Sequence, residues 1–416
     1  MLVAALLVAP ATHAMAQAPE PATSGIPTPV ARQGLPLDAG RGSGQPRLSR
    51  TPSGDLVVSW LEPDTVDGRT RLRIATRGAR GGDWSMPRTV AAGADWFVNW
   101  ADVPGVVPVS DMTWAAHWLE RSNPGSRYAY DVRVALSQDA GLKWGAPLTP
   151  HRDGTRTEHG FVSVFASPGT ADFGLVWLDG REMKSGAEHG ADHGDMTLRA
   201  ARLADGGSLH DEVVLDPRVC ECCPTAATTT ADGVLVAYRN RGDDETRDIH
   251  LVRHAGGWQP DHVAVADDWQ IAACPVNGPA LSAHDREVAL AWFTAVREQP
   301  RVKVAFSRDG GRTWTAAAIV DGGRPLGRAG VVHHPEGGVV VSWVEAEDTG
   351  ATVRLRRVHA DGRMGGPFVG ARVAQSRLSG YPRLALANDG VVLAWVEAAG
   401  DTTRVATALI ALADLR

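Results

Sequence analysis

The chain has 416 residues, 44% hydrophobic and 22% charged, with 42 Lys and Arg against 48 Asp and Glu. Those proportions exclude a disordered, collagenous or coiled-coil chain and suffice for a large buried core. A net charge of -6 with both signs interleaved leaves no basic stripe for a phosphate backbone, which argues against nucleic-acid binding.

Residues 1–16 read MLVAALLVAPATHAMA, an apolar run too short to span a bilayer that ends in the small-x-small pattern Ala14-Met15-Ala16. The expectation is a signal peptide cleaved after Ala16, or after Ala18, and a mature protein that is periplasmic or secreted. No other segment approaches the roughly 18–20 apolar residues of a transmembrane helix. Residues 17–45, rich in Pro, Gly, Ala and Ser, read as a tail or linker able to contribute one strand, and residues 46–416 as a single folded domain.

From residue 46 onward one pattern recurs: a turn, an apolar run ending in an aromatic, then a second β-rich run. The aromatics are Trp60, Trp118, Trp177, Tyr238, Trp292, Trp343 and Trp395, at intervals of 58, 59, 61, 54, 51 and 52 residues. Short strands in units of about 50 residues, without helical periodicity, predict an all-β, seven-bladed β-propeller with four strands per blade. The last repeat stops short of a full blade near Arg416, so the segment around residues 26–40 is expected to close the ring. Six blades is the alternative count.

Two repeats carry a sharper motif. Ser137-Gln-Asp139-Ala-Gly141-Leu-Lys-Trp144 and Ser307-Arg-Asp309-Gly-Gly311-Arg-Thr-Trp314 both fit S-x-D-x-G-x-x-W. Asp and Ser side chains bond turn amides, Gly accepts positive φ, and Trp packs on the neighbouring hairpin. The motif resembles the Asp-box of the sialidase and BNR-repeat superfamily. That resemblance implies a propeller in which the Asp-box is structural and faces away from the active site.

In a propeller, the start of each innermost strand and the loop between the second and third strands meet at one mouth of the channel. Those positions here hold Asn99, Asp102, His159 and Asn277 as ligand-binding candidates, together with Arg181, Arg239 and Arg247 as a possible anion clamp. The loop Arg239–Asp248 reads equally well as a self-paired salt-bridge network.

All four cysteines fall in the same set: Cys220, Cys222 and Cys223 before one innermost strand, and Cys274 before the next. Two disulfides are one reading, suited to an oxidising compartment. The other is a soft-metal site, in which the four sulfurs are assisted by His189, His193 and Met196 on a nearby loop; this donor set suits copper(I), with zinc as the alternative. In an extended strand Cys223 would point away from Cys220 and Cys222, so one centre for all three requires a turn.

The stretch VCECCPTAATTTADGVLVAYRNRGDDETRDIHLVR, continued by DDWQIAACPVNGPAL, resembles a group of secreted bacterial sialidase-like proteins with a Cys-x-Cys-Cys motif. The superfamily name implies a glycoside hydrolase with three arginines on a substrate carboxylate, a Tyr nucleophile and an acidic acid/base. Its first arginine belongs to an F/Y-R-I-P motif that is absent here, where the comparable segment reads Gln45-Pro46-Arg47-Leu48. Tyr381 is the candidate nucleophile and Asp244 or Glu245 the candidate acid, since Tyr238 aligns with the core aromatics. The favoured expectation is therefore a metal-binding propeller in metal handling. The alternatives are an exo-sialidase-type hydrolase acting on acidic sugars and a disulfide-stapled propeller that binds a protein partner.

Overall fold

A computed structural model describes residues 28–29, 32–123, 125–167, 172–183, 194–204 and 206–415. The signal-peptide segment and the predicted ligands His189 and His193 lie outside these residues. The described chain is all-β, with seven small antiparallel sheets arranged as the blades of a propeller. No helix among the described residues is long and apolar enough to cross a membrane.

Blade 1 comprises Gly44–Arg50, Leu56–Pro63, Thr70–Arg77 and Arg88–Gly93. Blade 2 has Gly105–Pro108, Trp114–Arg121 and Tyr130–Ser137, with only a bridge from Val134 to Leu148 in place of a fourth strand. Blade 3 comprises His159–Ala166, Phe173–Asp179, Met196–Leu203 and Leu209–Val219. Blade 4 comprises Ala226–Thr230, Gly233–Arg239, Ile249–His254 and His262–Val263. Blade 5 comprises Ala280–His284, Glu287–Thr294, Arg301–Ser307 and Ala318–Ile319. Blade 6 comprises Pro325–His333, Val339–Ala346, Ala351–Val358 and Phe368–Val373, with Thr28–Pro29 added parallel at its outer edge. Blade 7 comprises Arg383–Ala387, Gly390–Ala399 and Thr402–Ile410, and its outer strand is Arg32–Leu35 from the other end of the chain.

That last pairing runs antiparallel from Arg32 opposite Ile410 to Leu35 opposite Thr407. Thr407 Oγ donates to the Leu35 carbonyl at 2.7 Å, and Trp84 of blade 1 donates its indole N–H to Thr407 at 2.9 Å. Blades 7 and 1 also share a core that joins Leu56, Trp60, Ala385 and Val392.

The repeated apolar runs are the second strands. Each is covered by a neighbouring blade on both faces, so it is apolar throughout rather than alternating, as in Leu56-Val57-Val58-Ser59-Trp60, which is buried at every position. The terminal indole then needs a partner for its N–H. Trp60 donates to Glu62 at 2.8 Å and Trp177 to Asp179 at 2.7 Å, while Trp343 donates to Glu345. Tyr238 holds the same place in blade 4 and donates to Asp216 at 2.6 Å, which confirms it as a core aromatic.

Both S-x-D-x-G-x-x-W segments close turns after a third strand, at the end of the propeller opposite the innermost-strand starts. Asp309 Oδ1 accepts from the amides of Arg312 and Thr313, both at 2.9 Å, and Ser307 Oγ accepts from Gly311 N at 2.9 Å. Gly311 has φ +87°, and a Cβ there would lie 2.7 Å from Leu235, so no other residue fits without displacement.

Trp177→Ala is expected to cost about 3–5 kcal/mol of unfolding free energy, read from denaturant titration. A loss below about 1 kcal/mol would contradict its place in the core.

Candidate functional site

The starts of the innermost strands carry unusual backbone. Gln45, Phe161, Val276 and Arg328 adopt φ of +50°, +53°, +48° and +56°, and the register is bulged in blades 1, 3 and 6 at the same level. Positive φ in a β-branched residue such as Val276 is costly, and the surrounding contacts hold it there. Tyr381 donates its hydroxyl to the Val276 carbonyl at 2.6 Å. Asn277 accepts from Arg328 N at 2.7 Å and donates to the carbonyls of Pro275 and Leu326. Trp100 stacks on Tyr381 at 5.8 Å between centroids, and the Arg328 guanidinium lies 4.9 Å from the Trp100 ring. These links tie the mouth of the channel together from blade 2 round to blade 7.

The cysteines occupy this mouth. All four are free, so the two-disulfide arrangement is not formed. A turn at Glu221-Cys222 breaks the strand alternation and lets the sulfurs converge: Cys220 lies 3.0 Å from Cys223 and 3.7 Å from Cys222, and all three fall within 4.8 Å of one another. Cys274, on the next blade, interacts with Cys222 and stands 4.0 Å from the Glu221 carboxylate. Close packing fixes the turn, since a Cβ on Gly278 would meet the Pro224 carbonyl at 2.0 Å.

Charge fixes it as well. Glu221, 3% exposed, is paired with Arg241 and lies 3.5 Å from Arg247, and both arginines reach Glu245 at 2.8 Å. Burial pushes the Cys220 thiol up, but contacts from Cys222 and Cys223 and the Arg247 charge outweigh it and hold Cys220 well below the usual thiol range. Cys222 is pushed up chiefly by its bond to Cys220, and Cys223 by burial. The three thiols therefore form one hydrogen-bonded unit in which Cys220 is the sulfur most favoured to carry negative charge.

The other predicted residues serve the scaffold. Arg239 spends its guanidinium on the carbonyls of Asn277, Arg247 and Phe293. Arg181 is clamped by Asp179 at 2.7 Å and Glu212 at 2.8 Å. With Arg247 held by Glu221 and Glu245, all three guanidiniums of the expected anion clamp are engaged by internal ion pairs or backbone carbonyls. Glu245 is consumed in the same network, and Asp244 accepts from Thr246 N and Gln270 at a solvent-facing turn. Tyr381 is 3% exposed, and burial raises its hydroxyl above the usual range, which corrects its reading as a nucleophile. Asn99 closes a local turn onto Ala101 N. Met196 pairs with Val219 beside Cys220, but its side chain is fully buried in the apolar cluster of Phe161, Leu198 and Tyr238.

Two buried clusters combine residues that local spacing does not connect. His159 stacks on His151 with centroids 3.7 Å apart, between Asp131 on one side and Asp153 and Asp179 on the other. His159 is fully buried within this network. Nearer the channel, the Tyr130 hydroxyl donates to Glu158 at 2.6 Å and lies 3.3 Å from Asp102, which accepts from Phe161 N. Burial lifts Asp102 to about 7 and Glu158 to about 8.

No protein-family model matches the chain, and no curated protein matches it. Among solved structures, an ulvan lyase of polysaccharide lyase family PL25, bound to -[GlcA(1-4)Rha3S]-, is similar with a TM-score of 0.53 at 12% identity, over 92% of this chain and 96% of that one. A protein of unknown function from Dyadobacter fermentans DSM 18053 gives 0.51 at 14% identity, over 92% and 98%. The NanB sialidase of Streptococcus pneumoniae, as its K499G mutant, gives 0.48 at 8% identity, over 87% and 84%. The first two likenesses show a shared fold. This chain is a seven-bladed β-propeller.

The raised carboxyls predict a pH-dependent effect of mutation. A carboxyl that titrates near 8 when folded and near its ordinary value when unfolded holds its proton only in the folded state, so its contribution falls as pH rises from about 5 to 8. Buried neutral His117 and His151, the latter pushed down to about 3, act in the opposite sense, so the difference between variant and wild type is the informative quantity. Glu158→Gln is expected to gain on the order of 2 kcal/mol relative to wild type between pH 5 and 8, by denaturant titration. A pH-independent difference would contradict the assignment.

Proposed function

We propose that this propeller binds a thiophilic metal ion at its channel mouth through Cys220, Cys222 and Cys223, with Cys274 as a fourth sulfur. The observation that carries the reading is the convergence of three free sulfurs within 4.8 Å of one another at a rigid turn. Copper(I), which accepts three thiolates, is favoured, and zinc, which would use all four sulfurs, is the alternative. Loading releases the protons of Cys222 and Cys223, so affinity rises with pH. The Arg241–Glu221–Arg247 network orients the turn without supplying ligands. His189 and His193 are proposed as further donors during capture or transfer, in a periplasmic or secreted protein engaged in metal handling.

The exo-sialidase-type reading asks for arginines free to hold a substrate carboxylate. Arg181, Arg239 and Arg247 are each engaged internally, so the three arginines read from the sequence do not supply it. Anaerobically purified protein is expected to bind one copper(I) in competition with a chelator. Cys222→Ser and Cys223→Ser should each weaken binding by more than the roughly 10–100-fold that outer-sphere changes cost. Unchanged stoichiometry and affinity in both variants would overturn the ligand set, and turnover of a fluorogenic sialoside by either variant would favour the hydrolase.

A further inference from the structure

The propeller channel contains a second feature, separate from the thiols. A cavity of about 180 Å³ is lined by residues from, or just before, the innermost strands of all seven blades. Arg47 of blade 1 and Arg383 of blade 7 both line it. These strands are neighbours in the closed ring, so the two guanidiniums share one stretch of channel wall.

Neither arginine has a counter-charge. Among the described residues no carboxylate lies within 4.0 Å of either one, although Arg181, Arg241 and Arg247 are paired at that distance. The hydrogen-bonding neighbour of Arg47 is His117 Nε2 at 3.5 Å, a buried imidazole that burial and the Arg47 charge keep neutral. Arg383 Nε is buried without a hydrogen-bond partner, and its guanidinium lies 5.4 Å from the Tyr381 ring. The one carboxyl lining the cavity, Asp102, is committed to Phe161 N at 2.9 Å and the Tyr130 hydroxyl at 3.3 Å. Two adjacent, uncompensated, poorly solvated cations are costly, and a fold that keeps them has a use for the positive field.

We propose that the channel binds a small oxyanion between Arg47 and Arg383. Guanidinium forks match oxyanions that offer several acceptor oxygens, and a dianion would neutralise both charges at once. The volume admits a tetrahedral oxyanion with a few waters, at about 30 Å³ for each water. Free phosphate or sulfate shares this chemistry with the carboxylate of a uronic acid entering from the mouth, and the test separates the two sources.

In low-salt zwitterionic buffer, calorimetric titration with inorganic phosphate, sulfate and glucuronate is expected to give saturable 1:1 binding of at least one of them, with a matching rise in Tm. Response to the inorganic ions alone assigns a free anion, and response to glucuronate as well assigns an anionic group carried on a sugar. Arg383→Met is expected to abolish the response while leaving the anion-free protein at least as stable as wild type, because a half-buried charge without a counter-ion is removed. Arg383→Lys keeps the charge but loses the fork, so it should fold and bind several-fold more weakly. No response of the wild type to any of the three, or an undiminished response in both Arg383 variants, would overturn the proposal.

Discussion

Each second strand is buried on both faces because a neighbouring blade covers each side, and the rest of the molecule depends on that two-sided burial. Fully buried Trp60, Trp177, Trp292 and Trp343 fill the wedges between blades, and a hydrogen bond from each indole locks it in place. The arrangement is complete only when the ring closes, which the pairing of Arg32–Leu35 with Thr402–Ile410 accomplishes. Stability is thereby distributed round the whole ring. The mouth can then carry strained backbone at Phe161 and Val276, buried carboxyls and unpaired cations that a smaller core would not tolerate.

The blade count was legible because the signal is long and periodic: seven aromatics terminating apolar runs at intervals near 50 residues. The S-x-D-x-G-x-x-W turns were legible because their hydrogen bonds are local, each made within a few residues of Asp139 or Asp309. Gathering of the candidate residues at the starts of the innermost strands followed from topology alone. What each side chain does there was not legible. Arg239 and Arg247 read as an anion clamp, but their partners are backbone carbonyls and Glu221, residues that a turn brings beneath them. Tyr381 read as a nucleophile because of its position, yet Trp100, distant in sequence, stacks on it.

Local pattern also failed in the opposite direction. Strand alternation separates Cys223 from Cys220 and Cys222, and the turn at Glu221-Cys222 overrides it. Asp102, Tyr130 and Glu158 come from three segments, and no spacing rule joins them. His159 was expected at the mouth but belongs to a buried His–Asp network whose other members, Asp131, His151, Asp153 and Asp179, carry no motif. In each case the deciding contact is long-range, and its chemistry follows from burial more than from residue type.

The thiol turn and the paired-arginine loop beneath it form one electrostatic unit: the guanidiniums hold Glu221, Glu221 sits between the cysteines, and Arg247 favours an anionic Cys220. The central claim is that this unit presents sulfur to a metal. X-ray absorption at the metal edge of copper(I)-loaded protein tests it most directly. The account predicts a first shell of sulfur at about 2.3 Å, the distance typical of thiolate ligation. A shell made only of nitrogen and oxygen donors would contradict it.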